Sequence, residues 1–207
     1  MKPRFMRCFA VALCMLLAFS TSACKAPESV TPEAPTRDTL TMYGSDVGTF
    51  NIFETGSGVD LMYIHTMCEP LITMDNDFQF HPRLCESYEV SADGLVYTFV
   101  LRDNVMFHNG KKLTVEDVVY SINKALPSPL TSEFSAYIDT VEATGERTVV
   151  VALKSPYFVF LYNLATYHVI VPDGIFESDY DYEAKPIGTG PYEFVSYAAG
   201  DKLVLKA

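Results

Sequence analysis

Two runs of alternating apolar residues meeting at a tight turn restrict the fold of this chain more than any other feature. Residues 88–91 and 95–102 flank Ala92-Asp93-Gly94, a turn that a glycine at positive φ closes readily. Leu95, Tyr97, Phe99 and Leu101 fall on one face of the second run, with Val96, Thr98, Val100 and Arg102 on the other. Such a hairpin belongs to an antiparallel sheet with one face packed on a core. Further strand signals lie at 38–45, 71–74, 139–143, 148–153, 192–197 and 203–206. The segment from Phe78 completes a short hairpin around Asp75-Asn76-Asp77, and Asn109-Gly110 marks another tight turn.

Helical spacing interrupts these strands. Residues 59–69 carry Leu61, Met62, Ile64, Met67 and Cys68 ahead of Pro70, a periodicity that predicts a helix ended by the proline. Thr114 followed by Glu116 and Asp117 reads as a capped helix start. Its buried stripe is expected at Val118, Val119, Ile122, Ala125 and Leu126, up to Pro127. A short helix is predicted at 159–165, within an apolar segment, 156–171, that reads as core. The irregular order of strands and helices excludes a repeating βα sheet and predicts a mixed α+β class.

The first 37 residues stand apart. Lys2, Arg4 and Arg7 precede twelve apolar residues, 8–19, and then small residues to Ala23, the pattern of a secretory signal peptide. The run is too short for a spanning helix, which needs about 20 apolar residues. Residues 1–23 are therefore expected to be removed. Residues 24–37 contain three prolines and no aromatic side chain, so they form an extended tether before a folded part at 38–207. The formal net charge is −11, and loss of the three leader cations leaves −14. A chain so acidic has no basic stripe for phosphate backbones, which excludes nucleic acid as a partner.

Recognisable catalytic or metal arrangements do not emerge. His65, His81, His108 and His168 are scattered, and Cys8, Cys14, Cys24, Cys68 and Cys85 show no Cys-x-x-Cys spacing. No Gly-x-Ser-x-Gly elbow occurs. Asp179, Asp181 and Glu183 lack the glycine and terminal glutamate of a calcium loop and read as a solvated loop. Glu86 and Glu89 read as surface residues. Gly188-Thr189-Gly190-Pro191 lacks the Lys of a phosphate loop and precedes a strand. An exported hydrolase has composition alone in its favour. Export permits a disulfide between Cys68 and Cys85; two buried free thiols is the preferred reading.

Three stretches together resemble the peptide/nickel branch of the bacterial extracytoplasmic solute-binding proteins (family 5 of that group). Residues 84–126 are similar to its L-A-E-S-W start, D-G turn, Y-T-F-x-L-R strand, F-H-x-G loop and L-T-x-x-D-V helix start, with Cys85 where Ala is usual and Tyr88 where Trp is usual. Leu153-Lys154-Ser155-Pro156-Tyr157 precedes Phe160-Leu161 and Leu164-Ala165. Residues 186–192 resemble the P-x-G-T-G-P-Y turn. Thr21-Ser22-Ala23-Cys24 resembles a lipobox, with Thr21 where Leu is usual. An ordinary leader-cleavage site beside an incidental cysteine is the bland alternative.

The resemblance implies the first lobe of a two-lobed, non-catalytic periplasmic-binding-protein clamp, truncated before the second lobe. It implies a lipoprotein held outside the cytoplasmic membrane through Cys24, capturing peptides and delivering them to an ABC permease and its ATPase, with no cofactor. Nickel or another metal chelate, haem and oligosaccharide remain open as ligands, as does a non-transporting surface lipoprotein. Gly56, Ser57, Gly58 and Leu61 are the implied ligand residues in the loop after the first strand. Phe134 and Tyr137 are implied after the L-T-x-x-D-V helix. The glycine loop either lets a ligand approach the backbone or is an ordinary flexible loop. For Phe134 core packing accounts for the residue equally well; Tyr137, with its polar tip, suits a cleft wall better.

Overall fold

The computed structural model describes residues 39–207 apart from Tyr43 and Pro129, with side chains described from Gly44 onward. The leader, Cys24 and the tether lie outside the described residues. Among the described residues three antiparallel sheets and four helices follow one another, and all but the third helix fall where the sequence patterns predict them. Strand β1 (Thr39–Met42) leads through a long loop to helix α1 (Gly58–Met67). The hairpin β2 (Ile72–Met74) and β3 (Phe80–Pro82) comes next, then β4 (Cys85–Val90) and β5 (Val96–Leu101). Helices α2 (Val115–Ala125) and α3 (Ser132–Tyr137) precede β6 (Ile138–Ala143) and β7 (Thr148–Leu153). Helix α4 (Phe160–Tyr167), a 3-10 turn (Ile175–Glu177) and the hairpin β8 (Glu193–Ala198) and β9 (Lys202–Lys206) complete the order.

The larger sheet runs β4-β5-β7-β6 and the second runs β1-β9-β8. Period-two alternation puts Tyr97, Phe99 and Leu101 of β5 and Val149, Val151 and Leu153 of β7 on the buried face. Helix α2 lies over that face with Val115, Val118, Ile122 and Ala125 buried. Each such side chain contributes about 1.5–3 kcal/mol on leaving water. The register shifts once on β4, β6 and β8, where Glu86, Asp139 and Val195 are the extra residues. All three are edge strands.

Two helices are rotated from the sequence expectation. The buried stripe of α1 is Asp60, Tyr63, Ile64 and Met67, while Leu61 is half-buried and Met62 exposed. A carboxylate can head a core stripe because the loop before it supplies donors. On α2 the stripe takes in Asp117 and Ser121, leaving Val119 and Leu126 half-buried. Asp117 accepts the backbone N–H of Thr114 at 2.7 Å and that of Asp173 at 2.7 Å, so the expected cap also ties down the segment after α4. Ser121 accepts from Val171 N–H at 3.0 Å and donates to its carbonyl at 3.2 Å. Helix α3 and the 3-10 turn were not expected; at six and three residues neither carries a readable period.

The Gly-Thr-Gly-Pro turn joins the two large sheets. It is seated on the C-terminal end of α1, where Gly190 N–H donates to the Met67 carbonyl at 2.8 Å and Tyr192 N–H to that of Thr66 at 3.3 Å. A Cβ on Gly188 would fall on the Met67 carbonyl oxygen and 2.6 Å from Cys68 Sγ; one on Gly190 would stand 2.6 Å from the Met67 carbonyl carbon. From the other side His108 fastens the turn. Its N–H donates to the Gly188 carbonyl (2.9 Å), its Nδ1 accepts from Gly188 N–H (3.4 Å), and its Nε2 donates to the Gly190 carbonyl (2.8 Å). The Phe-His-Asn-Gly loop and the glycine turn, two of the resembling motifs, are thus one structural joint.

Cys68 and Cys85 are both buried free thiols, as preferred from the sequence. Burial pushes the Cys68 thiol up to about 12, opposed by its hydrogen bond with Tyr182, and that of Cys85 up to about 11. His168 is also fully buried. Its Nδ1 bonds the Asn163 carbonyl at 3.1 Å and its Nε2 has no protein partner. Burial holds the imidazole down, to about 4.

Two outcomes follow from these packings. Gly188→Ala drives a methyl into backbone that cannot retreat and should lower stability by about 3 kcal/mol. Gly56→Ala, where a Cβ meets nothing within 4 Å, should change it by under about 0.5 kcal/mol. Equal urea midpoints for the two variants would refute the seating. The unfolded state binds a proton at His168 near its ordinary value, whereas the native state resists it down to about 4. Stability from this residue is therefore complete above about pH 6.5 and falls by roughly 3 kcal/mol as pH drops toward 4. Urea titrations at neutral and acid pH should show a smaller drop for His168→Gln; an identical drop would exclude His168 as its source.

An exposed aromatic face beside the first helix

The loop before α1 is held rigidly by side chains of its own. Asp60, buried at the start of α1, accepts Gly48 N–H at 2.8 Å and the Thr55 hydroxyl at 2.7 Å. Thr55 in turn accepts Ser57 N–H at 2.9 Å, and Ser57 caps the helix by accepting Val59 N–H at 3.2 Å. Glu183 anchors the start of the loop, accepting Phe50 N–H at 2.9 Å and Asn51 N–H at 3.0 Å and the Thr49 hydroxyl. Its carboxylate therefore has a structural task that the solvated-loop reading missed. Gly56 and Gly58 protrude from this braced loop. Both are exposed, and neither has a positive φ nor a neighbour where a Cβ would stand. Leu61 packs half-buried one turn later.

The second group of implied residues divides. Phe134 is 1% exposed, its ring stacked 5.2 Å from Phe160 and lying 4.3 Å from His168. Phe160 continues the stack to Tyr97 at 4.1 Å. Core packing accounts for Phe134. Tyr137 is half-exposed and stacks on Tyr157 at 4.2 Å and 16°. The Tyr157 hydroxyl accepts from Asn163 Nδ2 at 3.1 Å, which fixes the lower ring of the pair.

A groove of about 370 Å³ opens beside this stack, lined by Phe134, Tyr157, Val159, Tyr162, Asn163 and Tyr167 among others. Tyr162 and Tyr167 meet edge to face at 6.2 Å. Burial, and then the Tyr162 hydroxyl, raise the Tyr167 phenol above its usual range. Phe158 is fully exposed and Val159 nearly half so. The sequence reading assigned 156–171 to core on its apolar content. Phe160, Leu164, Ala165 and residues 168–171 are core, but Tyr157, Tyr162 and Tyr167 are only partly covered, a placement that an amphipathic ring tolerates.

Helices α1 and α4 are tied by His65 Nε2 and the Thr166 carbonyl at 2.9 Å. Among the described residues no hydrogen bond or ring contact joins Gly56, Ser57, Gly58 or Leu61 to Tyr137. A roomier groove, about 560 Å³, lies elsewhere, along α2. Its Tyr120 and Lys124 are both engaged by Glu177. Among the described residues no group of three or more His, Cys, Asp or Glu is placed to hold a metal ion.

Known proteins share this architecture. Residues 79–207 match the family described as bacterial extracellular solute-binding proteins, family 5 Middle. The glutathione-binding protein GsiB of Pectobacterium atrosepticum is 28% identical over 170 residues, covering 80% of this chain and 33% of its own. NikZ from Campylobacter jejuni, solved in complex with Ni(L-His), is 30% identical with a TM-score of 0.67, over 77% of this chain and 33% of that one. DppA from Helicobacter pylori, a periplasmic binding protein solved with the peptide STSA, is 26% identical with a TM-score of 0.69, over 79% and 38%. The chain spans about a third of the length of the relatives it matches. The expected α+β architecture of part of a periplasmic-binding-protein lobe is borne out. With the match covering residues 79–207, the chain belongs to the bacterial extracellular solute-binding proteins, family 5.

Proposed function

We propose that this chain supplies the first lobe of a lipid-anchored carrier that captures peptides outside the cytoplasmic membrane for an ABC permease and its ATPase. The observation that carries the reading is the half-buried Tyr137–Tyr157 stack beside an open aromatic groove, in a family of solute-binding proteins. Two of the relatives above bind a peptide or glutathione, itself a tripeptide. The task is binding without reaction, and no catalytic residue is assigned.

Physically, the lobe presents a rigid half of a clamp. The braced loop leaves peptide groups near Gly56 and Gly58 open to hydrogen bonding, and Ser57 keeps its hydroxyl proton for an outside acceptor while its oxygen caps α1. A ligand held through its backbone in this way is bound with little regard to sequence. Tyr137 adds a ring face and a hydroxyl. Closure of a second lobe by hinge motion would bury the ligand between them. Anchoring rests on Thr21-Ser22-Ala23-Cys24 and the proline-rich tether. A metal chelate is the second reading, favoured by the 30% identity to NikZ.

Native mass spectrometry of the full-length protein, isolated from a bacterial host without added ligand, should reveal a family of co-purified peptide masses. A metal-chelate mass would transfer the assignment to the second reading, and an empty protein would count against capture. Tyr137→Ala should weaken peptide binding in calorimetry about tenfold, roughly the contribution of one aromatic contact plus its hydrogen bond. Its melting temperature should stay within about 3 °C of the parent. Unchanged affinity would remove Tyr137 from the site.

A further inference from the structure

The groove beside Tyr137 has no cationic side chain in its lining. Of its nine lining residues only Glu133 is ionisable near neutrality, and none is Lys or Arg. Lys154 donates its backbone N–H to the Tyr137 carbonyl at 2.8 Å but is not among the lining residues. Apart from the Glu133 carboxylate, which would itself repel an anion, the polar lining groups are neutral: the hydroxyl of Ser132, the phenols of Tyr157, Tyr162 and Tyr167 and the amide of Asn163. His168, behind Phe134, is buried and supplies no positive charge at neutral pH. Around the groove stand uncovered apolar surfaces, Phe158 fully exposed and Tyr162 37% exposed.

A carboxylate entering such a groove would leave water without a cation or an array of N–H donors to receive it, an unfavourable exchange. An apolar or aromatic side chain would exchange water for ring faces, a favourable one. We infer that this groove is a side-chain subsite selecting uncharged apolar or aromatic residues of a peptide ligand and rejecting acidic ones. The inference rests on the peptide reading above and adds a selectivity to it. Tyr162 is its main wall, because it is the exposed ring that meets both the groove and Tyr167.

The test compares Ala-Phe-Ala with Ala-Glu-Ala, which share backbone and termini, by calorimetry on the full-length protein. Ala-Phe-Ala should bind at least about tenfold more tightly, and the ratio should persist from low salt to about 0.5 M NaCl, since burial and stacking are not screened. Tyr162→Ala should bring the two affinities within about twofold, while Tyr162→Phe, which keeps the ring, should preserve the preference. Both variants are checked by thermal melts, and the phenylalanine variant decides the matter if the alanine variant fails to fold. Equal binding of the two peptides by the parent, or a preference that survives in Tyr162→Ala, would overturn the inference and leave peptide capture standing. Binding of neither peptide would overturn both.

Discussion

Everything in this lobe depends on how closely the Gly188–Gly190 backbone approaches the end of α1. A helix that finishes inside a protein leaves carbonyls to be satisfied. Here the glycine turn supplies N–H groups to Thr66 and Met67 directly, at a distance where no Cβ fits. Because the turn runs straight into β8, the same contact sets the position of the β1-β9-β8 sheet. Because His108 precedes α2, it also fixes the strand-to-helix connection of the four-stranded sheet. One neutral imidazole and two absent side chains thus couple parts of the chain more than 80 residues apart.

The aromatic face is a consequence of the core beneath it. Tyr97, Phe160 and Phe134 form a continuous stack from the centre of the large sheet toward the surface. Tyr157 touches Phe134 edge-on, and Tyr137 lies on Tyr157. The exposed rings therefore rest on buried ones whose rotamers are fixed by packing. A surface assembled in this way has little side-chain freedom left to lose on contact.

Much of this was legible in the sequence, for identifiable reasons. Hairpins declare themselves through period-two alternation and turn glycines, and β4 to β7 were placed to within a residue or so except at β4, which begins three residues early. Helix faces were read less well, because polar residues occupy core positions: Asp60 on α1, Asp117 and Ser121 on α2. Each is buried through bonds to segments distant in sequence or to a loop, which no local pattern announces. Helix α3 is too short to show a period. At the candidate site Tyr137 and Phe134 were implied by the resemblance alone; the polar tip of Tyr137 suited a cleft wall better, and for Phe134, which carried two readings, burial favours core packing. The groove-lining tyrosines were absorbed into an apolar run, since hydropathy does not distinguish a ring facing inward from one lying on the surface.

The three bulges on β4, β6 and β8 bear on association between chains. A flat free strand is a template for uncontrolled pairing. Here an extra residue interrupts each of these margins, and two of the three are acidic, Glu86 and Asp139. A foreign strand approaching them finds its ladder out of step after a few bonds and a negative charge in its path. At these three edges further contact is left to side chains, such as the exposed Val195, and not to the backbone ladder.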